Sequence, residues 1–432
     1  MFHNPTSNRG AAARLVATLL LGLSITACGE RDGPDRIILI VADTLRRDVL
    51  SPYGSKLATP HLQRLADEGS VFENAISSFH QTTMSMSSLF TGRTPSLETG
   101  DRSTILPWTS RGWCGLARLA ESPEDTCIPR GLDTLAEDLK RAGYETLGIQ
   151  SNWFIFRPYG YEQGFDTWIE VGEKERSEDQ QGRSELAQLR MGDRVNEQAA
   201  TALQQRESDR FFLYVHYVDP HDYGIRPDLK SYEDSVRYLD RVVGELLEEL
   251  REAALLENAV VIFTSDHGES FAERDDHPLP AMPGHFGNPS FDSVLKVPLI
   301  ISPPQPGDVA ALVRGQDMYG LIREIAGLPP SAAADIAPDE VFLAEQYYQT
   351  YRRGRWKSSW ARNKGQMALF DLHRDPGEKQ NVADSHPDIV QQHRDRIAEL
   401  TQSLAASVSE DELDAGLTPD EEKRLRALGY IK

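Results

Sequence analysis

Three stretches of the chain are apolar almost without interruption: residues 37–42, 211–218 and 259–264. A half-exposed strand alternates apolar and polar residues, so runs this uniform predict strands covered on both faces, as in a parallel sheet. A further strand is expected at 146–150. Between these runs the period changes. Val236, Leu239, Val242, Val243, Leu246, Leu247 and Leu250 share one stripe of a helix spanning 232–250. Shorter helices are predicted at 61–68, with Thr59 as N-cap, Pro60 in the first turn and Gly69 past the end, and at 134–142, closed by Gly143. Strands alternating with helices argue for an α/β sandwich around a mostly parallel central sheet. No repeat of fixed period appears. From about residue 338 the pattern turns to short alternating strands and a final helical stretch. It predicts a smaller C-terminal α+β subdomain at 338–432, following a main domain at 36–337.

The 432 residues, 39% hydrophobic and 26% charged, suffice for one large domain with such an appendage. A formal net charge of -21 is spread along the chain. That field repels nucleic acid and anionic membrane surfaces, and excludes both as natural partners. An anionic substrate must then be held by local positive features.

Residues 1–27 read as a processed leader. Arg9 and Arg14 precede an apolar run at 15–25 that is too short for a stable membrane span. The run ends in Ile25-Thr26-Ala27-Cys28, which resembles the lipobox of bacterial lipoproteins, whose cysteine is lipidated and becomes the new N-terminus. The resemblance implies an exported protein held to the membrane through Cys28 and a polar tether at 28–35. Gly29 in place of Asp puts the expected location on the periplasmic side of the outer membrane of a Gram-negative host. Of the three cysteines, Cys114 and Cys127 remain, 13 positions apart, and in an exported protein they are expected to form a disulfide.

Two carboxylates stand out by position. Asp43 follows the run at 37–42 and Asp266 closely follows that at 259–264. Open α/β sheets bind ligands beyond the carboxyl ends of their strands, so both point toward one edge. His267 comes next, within Thr264-Ser265-Asp266-His267-Gly268-Glu269. Two carboxylates and an imidazole suit one divalent ion, Mn, Zn or Mg, and tolerate Ca. In the segment 82–93, Leu89-Phe90-Thr91-Gly92 predicts a short helix and its stop. The hydroxyls of Thr82 and Thr83 then sit at the helix N-terminus, where free N–H groups and the dipole stabilise an anion. A threonine there can be deprotonated by metal coordination and attack phosphorus or sulfur. The plain alternative is an N-cap without chemistry.

Asp43-Thr44-Leu45-Arg46-Arg47-Asp48, the 82–93 segment and Ser265-Asp266-His267-Gly268-Glu269 resemble three blocks of the sulfatase family, within the alkaline phosphatase superfamily. Further similarities follow in order at 134–146, Gly164-Phe165-Asp166, 211–221, Val297-Pro298-Leu299-Ile300, 369–372, Asp375-Pro376-Gly377-Glu378, Asn381 and 425–431. The likeness covers nearly all of 36–432. It implies a sulfatase-like fold, Asp43, Asp266 and His267 as metal ligands, and a nucleophile at Thr82 bridging metal and substrate, with Thr83 next in line. It also implies that His221 contacts the anionic group and that His285 protonates the leaving group, ahead of His277.

Two departures qualify the resemblance. The signature Cys/Ser-x-Pro-x-Arg is absent, its positions holding Thr82, Met84 and Met86. Threonine cannot become the formylglycine of typical sulfatases. The usual Asp-Asp pair is Asp43-Thr44. Such a site resembles the phosphodiester and phosphoethanolamine-transfer branches. The expected activity is metal-dependent hydrolysis of a sulfate, phosphate or phosphonate ester, on a glycan or lipid head group. The rivals are a transferase, with an acceptor alcohol in place of water, and a non-catalytic lipoprotein on the same fold. Specificity is expected in 98–130 and 170–192, where the family likeness is thinnest.

Overall fold

β1 (Arg36–Ala42) runs through the middle of the molecule, and its sequence explains why. Ile37, Leu39 and Val41 pack into one hydrophobic core, while Ile38, Ile40 and Ala42 pack into another on the opposite face. Each fully buried side chain of this size stabilises the fold by roughly 1.5–3 kcal/mol. The computed structural model describes residues 33–94, 127–128, 132–155, 160–172, 191–221, 229–271, 277–279, 284–285, 291–330, 336–344, 348–361 and 365–405. The leader with Cys28, Cys114, most of 98–130 and 170–192, and the closing 425–431 lie outside the described residues.

After β1 come α1 (Pro60–Asp67), β2 (Ser70–Val71), β3 (Ala75–Ile76), α2 (Thr82–Thr91), α3 (Leu135–Arg141), β4 (Glu145–Gln150) and β5 (Thr167–Glu170). Then follow α4 (Met191–Gln205), β6 (Phe211–Tyr217), α5 (Leu229–Glu252), β7 (Ala259–Ser265), α6 (Asp292–Leu295), β8 (Leu299–Ser302), β9 (Val313–Arg314) and α7 (Asp317–Ile325). The chain continues through β10 (Glu340–Ala344), β11 (Tyr348–Arg353), β12 (Trp356–Ala361), β13 (Gln366–Asp371) and α8 (Pro387–Ala405).

Among the described residues a seven-stranded sheet has the order β2-β8-β7-β1-β6-β4-β5. β7, β1, β6, β4 and β5 are parallel, and β8 and β2 add antiparallel pairings at one side. This is the mostly parallel α/β sandwich expected from the apolar runs. The predicted stripe of α5, from Val236 to Leu250, is buried against one face, and Met84, Met86, Leu89 and Phe90 of α2 against the other.

Helix ends follow local chemistry in one case and tertiary contacts in another. At α3, the Thr134 hydroxyl accepts the Glu137 N–H at 3.2 Å, and the Glu137 carboxylate accepts the Thr134 N–H at 2.9 Å. Thr59 flanks α1 as expected but does not cap it with its side chain. Its hydroxyl pairs with Ser51 instead, and Asp240 of α5 accepts the free Leu62 N–H at 2.8 Å. Among the described residues no helix is long and apolar enough to cross a membrane.

A second, antiparallel sheet has the order β10-β11-β12-β13. Its Val341, Leu343 and Tyr351, with Ile397 and Leu400 of α8, join the same core as Ile37 and α2. A buried ion cluster adds a polar link. Lys357 Nζ on β12 lies 3.0 Å from Asp292 and 2.5 Å from Glu378, and Glu378 also accepts the Asp292 N–H at 2.7 Å. Removing one member of a buried ion cluster leaves uncompensated charge. Lys357→Met should therefore cost about 3–5 kcal/mol in urea unfolding at neutral pH.

Candidate metal centre

β1 and β7 are neighbours with Ala42 opposite Ser265, so Asp43 and Asp266 emerge side by side at the carboxyl edge of the sheet. Both are buried. Asp43 Oδ1 accepts the Thr44 hydroxyl at 2.6 Å, and its Oδ2 accepts the side-chain amide of Asn152, in the turn after β4. His216 Nε2 of β6 lies 3.6 Å from the same Oδ2, while its Nδ1 is 2.7 Å from the Tyr214 hydroxyl. Burial by itself raises the Asp43 pKa. The His216 contact and the positive potential of His221, His216 and His267 outweigh it and hold the carboxyl well below its usual range.

Asp266 Oδ1 accepts the N–H groups of Thr44 and His267 at 2.9 and 2.8 Å. Thr44 takes a left-handed conformation, φ 58, uncommon for a β-branched residue. Its N–H and hydroxyl thereby reach one carboxylate each. Asp266 Oδ2 is buried with no hydrogen-bond partner. His267 Nδ1 lies 2.9 Å from the Gly268 carbonyl, which only a protonated Nδ1 satisfies, so Nε2 carries the free lone pair. Nε2 is 3.5 Å from Asp266 Oδ2 and 3.4 Å from Thr82 Oγ1.

One ligand atom from each of Asp43, Asp266 and His267 lies within 4.8 Å of the others. An orphaned carboxylate oxygen, an ionised carboxylate and an outward imidazole lone pair, all buried, fit a divalent cation. Gly268 permits the arrangement: its N–H donates to the Val294 carbonyl at 2.6 Å, and a Cβ there would collide with the Ser293 carbonyl.

Thr82 is the first residue of α2, with Gln81 at the N-cap and Gly92 ending the helix at φ 70. The Thr83 hydroxyl is fully buried without a hydrogen-bond partner, and the Thr83 carbonyl accepts the Tyr161 hydroxyl at 2.7 Å. The His285 ring is 4.5 Å from that of His267 and 5.7 Å from that of His221. The structure therefore brings together Asp43, Thr82, His221, Asp266, His267 and His285. His277 does not join them; it packs between Phe291 and Phe370, at 4.8 and 5.1 Å. Cys127 is disulfide-bonded, and the expected partner, Cys114, falls outside the described residues.

Sequence reading missed His80, His216 and Asn152. His80 is fully buried and stacked on Phe79 at 4.4 Å. Burial, with His285 and His267 nearby, pushes its pKa down to about 3. His216 looked like part of an apolar run, and Asn152 like a turn residue. His216 and Asn152 shared one signal, a position at or just past the carboxyl end of a strand, whereas His80, in the loop leading into α2, carried none.

Asp43→Asn, Asp266→Asn and His267→Ala should each abolish stoichiometric metal binding, measured by elemental analysis after dialysis. Asn152→Ala removes only an outer support of Asp43, and should weaken metal affinity about 10–100-fold by titration calorimetry.

A sulfatase family model matches residues 35–307. An N-acetylgalactosamine-6-O-sulfatase of Bacteroides thetaiotaomicron is 23% identical, the match covering 87% of this chain and 94% of that one. An N-acetylgalactosamine-6-sulfatase of Canis lupus familiaris is 29% identical over 58% of this chain and 53% of its own. The solved phosphonate monoester hydrolase of Agrobacterium radiobacter superposes with a TM-score of 0.60 at 15% identity, covering 86% of this chain and 96% of that one, a likeness of fold.

Proposed function

The chain belongs to the sulfatase family of ester hydrolases, and on that premise we propose that it cleaves a sulfate, phosphate or phosphonate ester through Thr82. One observation carries this reading: Thr82 Oγ1 stands at the start of α2, 3.4 Å from His267 Nε2, beside the Asp43–Asp266–His267 cluster. Thr83, with its hydroxyl fully buried, is poorly placed for attack.

A divalent ion held by Asp43, Asp266 and His267 would supply Lewis-acid charge, favouring ionisation of a hydroxyl beside it. The ionised Thr82 oxygen attacks sulfur or phosphorus in line, and the bond to the leaving oxygen breaks. His285 gives that oxygen a proton, and His221 stabilises charge on the anionic group. In the second half water attacks the same centre, its proton passes to His285, and Thr82 leaves as the alkoxide. Formylglycine can release sulfate by elimination, whereas a threonyl sulfate needs this second displacement. Phosphoryl centres undergo it readily, so phosphoesters should be turned over at least as well as sulfate esters. The N-acetylgalactosamine sulfatase relatives support an ester carried on a glycan.

The same reading places the protein outside the cytoplasm, lipid-anchored through Cys28. The lipobox-like Ile25-Thr26-Ala27-Cys28 supports it, and so does a disulfide at Cys127, which suits an oxidising compartment.

Thr82→Ala should lower kcat at least about 10³-fold with fold retained, and a slow substrate should leave a mass adduct on the 82–93 peptide of the parent protein. A panel of aryl sulfates, phosphate monoesters, phosphodiesters and phosphonates with several divalent metals tests the substrate class. Turnover of aryl sulfates alone would refute the phosphoryl preference. Cys28→Ser should move the protein from the membrane to the soluble fraction; a parent protein already soluble would remove the anchor.

A further inference from the structure

Glu269 has no part in the scheme above, yet it is a carboxylate 2% exposed beside the histidine cluster. Its Oε2 lies 3.1 Å from His285 Nδ1, and its Oε1 accepts the Ser270 N–H at 2.9 Å. The backbone on either side is held as well. Gly268 donates to Val294, and Arg46 Nη1 donates to the Glu269 carbonyl at 3.3 Å. The carboxylate thus sits on a braced turn at the end of β7, while His285 arrives from a different segment.

We propose that Glu269 is the positioning residue of His285. Accepting the Nδ1–H sets the tautomer and rotation of the imidazole, so that Nε2 is the nitrogen facing the departing oxygen. Nε2–H donates as the ester bond breaks, and the Nε2 lone pair takes the proton of the incoming water. Nδ1–H stays bonded to Glu269 throughout. This inference rests on the reading of His285 as the group that protonates the leaving oxygen. Stability alone is a weak reason for such a buried pair, because desolvation offsets most of its attraction.

The test uses esters of graded leaving groups, from nitrophenols to alkyl alcohols. A good leaving group needs no proton, whereas a poor one does. Glu269→Gln should keep kcat/KM, which reports only the first half-reaction, within a few-fold for nitrophenyl esters and lower it about 10²-fold or more for alkyl esters. His285→Ala should show the same steepening, and the double variant should be no worse than His285→Ala. Metal content and melting temperature are recorded for each. If the glutamine variant does not fold or load metal, Glu269→Asp, which withdraws the carboxylate by one methylene, must show the steepening. Equal losses across all leaving groups, or additive losses in the double variant, would overturn the role of Glu269. Steepening in His285→Ala alone leaves the reading of His285 standing and removes Glu269 from it. Steepening in neither removes both.

Discussion

Two carboxylates emerge from adjacent strands at one level of a buried sheet edge, and that juxtaposition organises everything around it. Like charges this close, in a region poor in water, repel strongly unless matched. Asp43 and Asp266 stand at those strand ends because Ala42 lies opposite Ser265. The donors gathered about them come from distant parts of the chain: Thr44 in a left-handed turn, Asn152 beyond β4, His216 on β6 and the His267 backbone. Even so, Asp266 Oδ2 has no hydrogen-bond partner. A positive ion answers that remaining demand better than any further neutral donor.

The smaller sheet takes part in this site although it contributes no ligand to it. Lys357 binds Asp292, the first residue of α6, and α6 carries the Val294 carbonyl that fixes the Gly268 N–H. The Leu295 carbonyl accepts the Ser77 N–H a few residues before α2. Packing and ions in the C-terminal part therefore brace the turn that presents His267, and strain there is transmitted by a close-packed interior.

Much of this was legible in the sequence where the signal is local and strong. Unbroken apolar runs gave the central strands within a residue or two, since a strand covered on both faces is apolar over most of its length and keeps its few polar residues near its ends. The stripe from Val236 to Leu250 gave α5 for the same reason. Strand-end position brought out Asp43 and Asp266. Signals that depend on other elements were lost. Thr59 has the chemistry of a cap, but Ser51 captures its hydroxyl and Asp240 does the work from α5. His277 and His285 look alike in sequence, and only packing separates a histidine wedged between phenylalanines from one beside His267. Thr82 and Thr83 differ by the rotation of one helical step, which a loop of uncertain register conceals.

The direction of β1 has a consequence for how the protein meets its surroundings. The described chain enters the fold at Gly33, just ahead of Arg36 at the amino edge, and Asp43 stands at the carboxyl edge. Seven residues of strand span about 23 Å at roughly 3.3 Å each. Entry point and metal centre are thus at opposite rims of the sheet. Whatever the site receives is therefore met at the rim opposite the one where the described chain begins, so the first described residues and the metal ligands do not compete for the same space.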